Sequence, residues 1–115
     1  MLKRLIRTSI YLIVSIGYFC AFAGSYDDFF KAIKQDNPAA LTDLMRRGFD
    51  PNTTNEQGVP GLIVAMREPA FKAAAALIAW PKTNVELRTP QDESALMFAA
   101  LKGELGLVRL LIDRD

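Results

Sequence analysis

The sequence predicts an all-α protein: a solenoid of about three helix-turn-helix units, preceded by a separate signal-peptide helix. Three observations carry this. Apolar positions recur every 33 to 34 residues along the chain. A small residue recurs on the same helix face in each unit. Helix-capping residues fall where that period places the helix ends.

The first 23 residues stand outside the period. Lys3, Arg4 and Arg7 form a basic start with no acid, Ile10 to Phe22 is apolar apart from Ser15 and Gly17, and Ala21-Phe22-Ala23 has the small-x-small form of a cleavage site. Cleavage is expected after Ala23, leaving the 92 residues from Gly24 to Asp115. The basic start favours the cytoplasmic side and so export of the rest, to the periplasm or the medium. One alternative keeps residues 8–24 as an uncleaved membrane anchor, since that uncharged run is about long enough to span a bilayer. A lipoprotein modified at Cys20 fits less well because Phe19 precedes the cysteine where a small residue is needed. A buried core helix there would find no apolar partner of similar length. Cleavage would remove the single cysteine, which suits an oxidising compartment.

Units of about 24–54, 55–88 and 89–115 follow. The first helices carry a large apolar residue at Phe29, Leu62 and Leu96, with Ala32, Ala65 and Ala99 three positions later. Residues i and i+3 share a helix face, and the alanine lets the next unit approach closely. The second helices carry Leu44-Met45, Leu77-Ile78 and Leu110-Leu111, each pair 33 residues after the last. Asn37-Pro38 reads as an N-cap followed by proline at the first helical position. Gly48 reads as the left-handed stop of the second helix of unit one. Ser94 reads as an N-cap and Gly103 as the interhelical turn of unit three. The stretches "GFDPNTTNEQG" and "PKTNVELRTPQDE" are polar and turn-rich, and read as extended connections. A lone unit cannot bury its apolar face, whereas stacked units share one core.

In these positions the chain resembles the ankyrin repeat, whose unit runs D-x-x-G-x-T-P-L-H-x-A-A-x-x-G and then V-V-x-L-L-L-x-x-G-A-D-V-N. Unit three, "ESALMFAALKGELGLVRLL", places Ser94 at the family threonine, Leu96 at the leucine, Ala99-Ala100 at the alanine pair, Gly103 at the interhelical glycine and Leu110-Leu111 at the leucine pair. Unit two carries Gly58, Leu62, Ala65 and Leu77-Ile78. Unit one ends in "RRGFDPN", with Gly48, Asp50 and Asn52 in the places of G-A-D-V-N. The resemblance covers residues 26–115 and departs in places. Ile63 and Met97 replace the family histidine. Pro60 and Gly61 replace the threonine and proline of unit two, so the loosest helix start is expected there.

The family resemblance implies a protein-binding module with no cofactor and no metal, working through its turn tips and the exposed face of its first helices. Carried over by position, that surface is Glu56, Gln57, Val59, Arg67 and Glu68 in unit two, and Gln91, Glu93, Leu101 and Lys102 in unit three. Leu101 stands out as apolar at an outward position. Catalysis is disfavoured by the residues themselves. There is no histidine for an imidazole base. The carboxylate pairs Asp27-Asp28, Asp92-Glu93 and Asp113/Asp115 stand at helix starts or the chain end, where the helix dipole favours acids at the N-terminus without any chemistry. Trp80 reads as packing at the end of a helix. After cleavage 11 basic residues face 13 acidic ones, so nothing points to nucleic acid.

The last helix, "LGLVRLLID", has Leu105, Leu107, Val108, Leu110, Leu111 and Ile112, too many apolar residues for a polar outer cap. Marginal stability as a monomer, or self-association through this end, is the expectation. A shortened relative of a longer array would look the same. The partner protein is not specified by the sequence.

Overall fold

The computed structural model describes residues 24–114. The expected signal segment with its cleavage site, the lipidation candidate Cys20, nearly all of the alternative anchor, and Asp115 lie outside the described residues. Among the described residues the chain is all-helical. Six helices follow in order: α1 over 24–34, α2 Pro38–Arg46, α3 Gly61–Arg67, α4 Phe71–Ala79, α5 Ala95–Leu101 and α6 Leu105–Arg114. None of these helices is long and apolar enough to cross a membrane. Isolated bridges Thr54–Pro60 and Arg88–Ser94 pinch the two long connections just before α3 and α5.

The helices pack as hairpins in two rows. In one row α4 touches both α2 and α6; in the other α3 touches α5, and α3 and α5 each pack on the second helix of their own hairpin. The first row member α1 meets α3 where Phe29 lies against Gly61. The core runs through both rows, from Phe29, Ile33 and Leu41 through Leu62, Met66, Ala74 and Leu77 to Ala95, Ala99 and Leu111, all buried. Burying a side chain the size of Phe29 contributes about 1.5–3 kcal/mol.

The recurrent alanine has a second role beyond close packing. Each first helix ends by donating a backbone N–H back to the carbonyl of its ladder alanine: Asn37 to Ala32 at 2.9 Å, Ala70 to Ala65 at 2.8 Å and Glu104 to Ala99 at 3.0 Å. In the first and third units a left-handed residue stands one position earlier, Asp36 at φ 51° and Gly103 at φ 69°, whereas in the second it is Pro69 at φ 21°. Asp36 then acts across the stack. Its side chain accepts from the Ala73 N–H at 2.8 Å, one of the first amides of α4, whose own N-cap residue Ala70 offers no side-chain acceptor.

The expected caps are present. Asn37 accepts from Ala40 N–H at 3.2 Å with Pro38 at the first helical position. Ser94 accepts from Met97 N–H at 3.3 Å. Gly48, at φ 97°, closes α2 with Gly48 N–H on Met45 O and Phe49 N–H on Leu44 O, both 3.1 Å.

Two expectations are refined. The start of α3 has no side-chain cap, as its sequence implies, yet it is held from outside by Gly61 N–H on Thr53 O at 3.1 Å and by the Thr54–Pro60 bridge. Gly61 is there for space: a Cβ at that point would sit 2.6 Å from Phe29 Cε1. The second correction concerns the leucine ladder. From α4 to α6 the spacing is 34, not 33, because α4 begins at Phe71 and α6 at Leu105. Leu111, at 4% exposed, therefore takes the place of Leu77, and Leu110 rolls outward to 39%. The extra residue lies in the longer second connection, and it carries the whole of α6 forward by one.

Candidate functional site

The turn tips are built alike from different residues. In the first, Asn55 N–H donates to Val59 O at 2.9 Å, and the Asn55 side chain accepts from the amides of Gln57 and Val59, both at 3.0 Å. In the second, Thr89 N–H donates to Glu93 O at 3.0 Å and the Thr89 hydroxyl accepts from Glu93 N–H at 3.1 Å. Short polar side chains that bond the backbone a few residues on are suited to this work. The left-handed positions are Gly58, φ 77°, and Asp92, φ 64°. Gly58 lies close to the Pro90 ring, so the two tips stack on each other.

Beside the first tip, α1 and α3 frame an open groove of about 410 Å³ lined by Tyr26, Phe30, Lys34, Asn55, Glu56, Gln57, Val64 and Glu68. Tyr26 and Phe30 are one helical turn apart and meet edge to face at 5.1 Å, forming an aromatic wall. Phe30 in turn packs edge to face on buried Phe29, also at 5.1 Å. The Tyr26 hydroxyl donates to Thr54 O at 3.3 Å and fixes that wall to the tip. The groove thus combines an aromatic wall, the aliphatic Val64, one ammonium and two carboxylates.

The neighbouring part of the surface is set by Arg67. Its guanidinium reaches Glu93 at 2.9 Å and lies 5.4 Å from the centre of the Phe98 ring. Glu93 also accepts from the Thr89 hydroxyl at 3.1 Å. Arg67 is therefore held by an acid from the second tip and an aromatic face from α5.

Of the positions expected on the binding surface, Glu56, Gln57 and Glu68 come together in the groove. Arg67 and Glu93 form the adjoining ion pair, while Gln91, Leu101 and Lys102 are exposed beyond it. Leu101 is 82% exposed, as its outward position implies. Val59 is the correction. It is buried in the core, because its amide and carbonyl are both turned to Asn55 and the side chain is left facing the helices. Tyr26, Phe30, Lys34 and Val64 were missed. Their signal was legible: Tyr26, Phe30 and Lys34 recur at i, i+4 and i+8 on one face of α1, beside the Phe29-Ile33 core stripe.

Two of the acids considered for catalysis, Asp92 and Glu93, have structural partners. Asp92 meets Arg88 at 3.3 Å within its turn, and Glu93 is the partner of Arg67. No group of three or more potential metal-ligating His, Cys, Asp or Glu side chains occurs among the described residues. Comparison with protein-family models, with curated proteins and with solved structures finds no match to this chain.

Proposed function

We propose that the chain is a non-catalytic protein-interaction module of the ankyrin-repeat type, which holds a partner protein in the groove between α1, α3 and the first turn tip. The observation that carries this reading is the groove itself. Three separate segments converge to set a half-buried aromatic pair, Tyr26 and Phe30, beside Glu56, Glu68 and Lys34. Aromatic side chains that reach the surface with one edge and are flanked by polar groups are common anchors of a protein interface. The 33- to 34-residue recurrence, the alanine ladder and the paired rows of helices support the ankyrin-type reading.

Export follows from the basic and apolar start of the sequence, with the mature chain beginning at Gly24. The rival form, tethered through residues 8–24 and presenting the same groove as a docking surface, is separated from it by the mass of the protein recovered from its own cells. A first residue other than Gly24 sinks the cleavage assignment, and retention of the whole segment supports the tether.

The binding test compares three full-chain variants as bait in the exported fraction. Phe30→Glu and Glu68→Lys alter the groove, and Lys72→Glu alters an exposed site on α4. A partner retained by the native chain and by Lys72→Glu, but lost with both groove variants, is the expected result. A partner indifferent to the groove variants overturns the site.

A further inference from the structure

The two junctions between hairpins share a backbone plan and differ in chemistry. At spacings of 33 and 34 residues, Lys34 corresponds to Arg67, Val59 to Glu93 and Val64 to Phe98. Where α3 meets α5, the cation at the end of α3 has a complete seat. Arg67 pairs with Glu93 at 2.9 Å and lies 5.4 Å from the centre of the Phe98 ring. Where α1 meets α3, these positions offer Lys34 neither group. Val59 is buried and Val64 is aliphatic.

The groove beside α1 carries the same two groups on other residues. Tyr26 and Phe30 supply rings, Glu56 supplies a carboxylate from the tip, and Glu68 supplies another from the C-cap of α3. Among the described residues neither carboxylate belongs to an ion pair, nor does Lys34. Two carboxylates against one ammonium leave the groove with a net charge of −1. A seat of ring and carboxylate, filled by the chain's own Arg67 at one junction, thus stands open at the other.

Taking the groove as a partner site, we infer that it receives a single arginine from an extended segment of the partner protein, set against the Tyr26–Phe30 pair and bonded to Glu56 or Glu68. A guanidinium is planar, weakly hydrated and rich in donors, so it stacks on a ring while it bonds a carboxylate, as Arg67 does. A lysine ammonium holds its water more tightly and gains less there. Lys34 limits the cations to one, since a second beside it would be repelled. It also favours an acid or a carbonyl next along the segment. Tyr26 and Lys34 are eight residues apart on α1, which is about 12 Å of helix. About four extended residues span that length, so a short linear segment fits.

Selection of phage-displayed random peptides on the full chain tests this. The recovered peptides are expected to share one arginine. In synthetic copies, citrulline at that place keeps the shape and removes the charge. It is expected to weaken binding at least about tenfold, and lysine to restore only part of the loss. Glu56→Gln combined with Glu68→Gln is expected to weaken the same peptides, whereas Lys72→Glu leaves them bound. Helical circular dichroism is expected to stay unchanged in that double variant, because both glutamates are exposed. Peptides that lose affinity with Phe30→Glu but share no arginine keep the groove as a partner site and overturn the arginine. Peptides indifferent to every groove variant overturn both. Full affinity with citrulline overturns the inference. So does a failure to recover any peptide, as when a second copy or the chain's own residues 1–23 fill the groove.

Discussion

Asn52 ties the first long connection to the second through both ends of its side-chain amide. Its Nδ2 donates to Lys82 O at 3.1 Å, and its Oδ1 accepts from Asn84 N–H at 2.7 Å. The connections have no sheet to hold them, so this two-way bridge replaces ladder hydrogen bonds. Asn52→Ala leaves Asn84 N–H and Lys82 O to water and frees the loops from each other. The expected loss is about 1–2 kcal/mol in a urea titration, with faster amide exchange at Asn84. A loss below the error of the titration would show that the bridge is decorative.

The contact between Gly61 and Phe29 makes a prediction opposite to helix propensity. Alanine is a better helix former than glycine by about 1 kcal/mol. At Gly61, however, the new Cβ would stand 2.6 and 2.8 Å from two carbons of the Phe29 ring, which is itself fully buried. Gly61→Ala is therefore expected to destabilise, by about 1–3 kcal/mol, since an overpacked core must shift to accommodate it. A stabilised variant would mean that α1 can move away from α3 at little cost.

Arg114 secures the end of α6 to the connection after α4. Its guanidinium donates to Trp80 O at 3.1 Å, to Thr83 O at 2.7 Å and to Pro81 O at 3.4 Å. A planar fork of donors can serve several carbonyls where an ammonium cannot. Arg114→Ala is expected to cost about 1.5–3 kcal/mol. Arg114→Lys should recover only part of it. Equal stability of the lysine variant and the native chain, in the same thermal melt, would remove the case for the fork.

The Arg67–Glu93 pair is partly exposed, so its direct worth is small. A double-mutant cycle with Arg67→Ala and Glu93→Ala is expected to return a coupling of about 0.5–1 kcal/mol, reduced by added salt. The Phe98 ring under Arg67 adds a contribution of about 0.5–1 kcal/mol that salt screens less, and Phe98→Leu should lower stability without changing the salt response. A salt response unchanged when Glu93 is removed would contradict this division.

The sequence by itself determined the local grammar of this protein. Asn37, Pro38, Gly48, Ser94 and Gly103 act where short-range rules place them, because capping and left-handed turns depend on a few neighbouring residues. The alanine ladder at Ala32, Ala65 and Ala99 and the all-helical class were also legible, since periodicity is a one-dimensional signal. The tertiary structure alone decided the rest. Whether Leu110 or Leu111 enters the core depended on how the longer connection is absorbed between α4 and α6. Val59 went inside because its backbone bonds Asn55 on the tip. Asp36 became the cap of a helix 37 residues further on. Tyr26 and Phe30 joined Glu56 and Glu68 in one groove only when α1 met α3. Each of these is set by contacts between distant segments, where close packing and unpaired backbone groups select one arrangement from several that the local sequence permits equally.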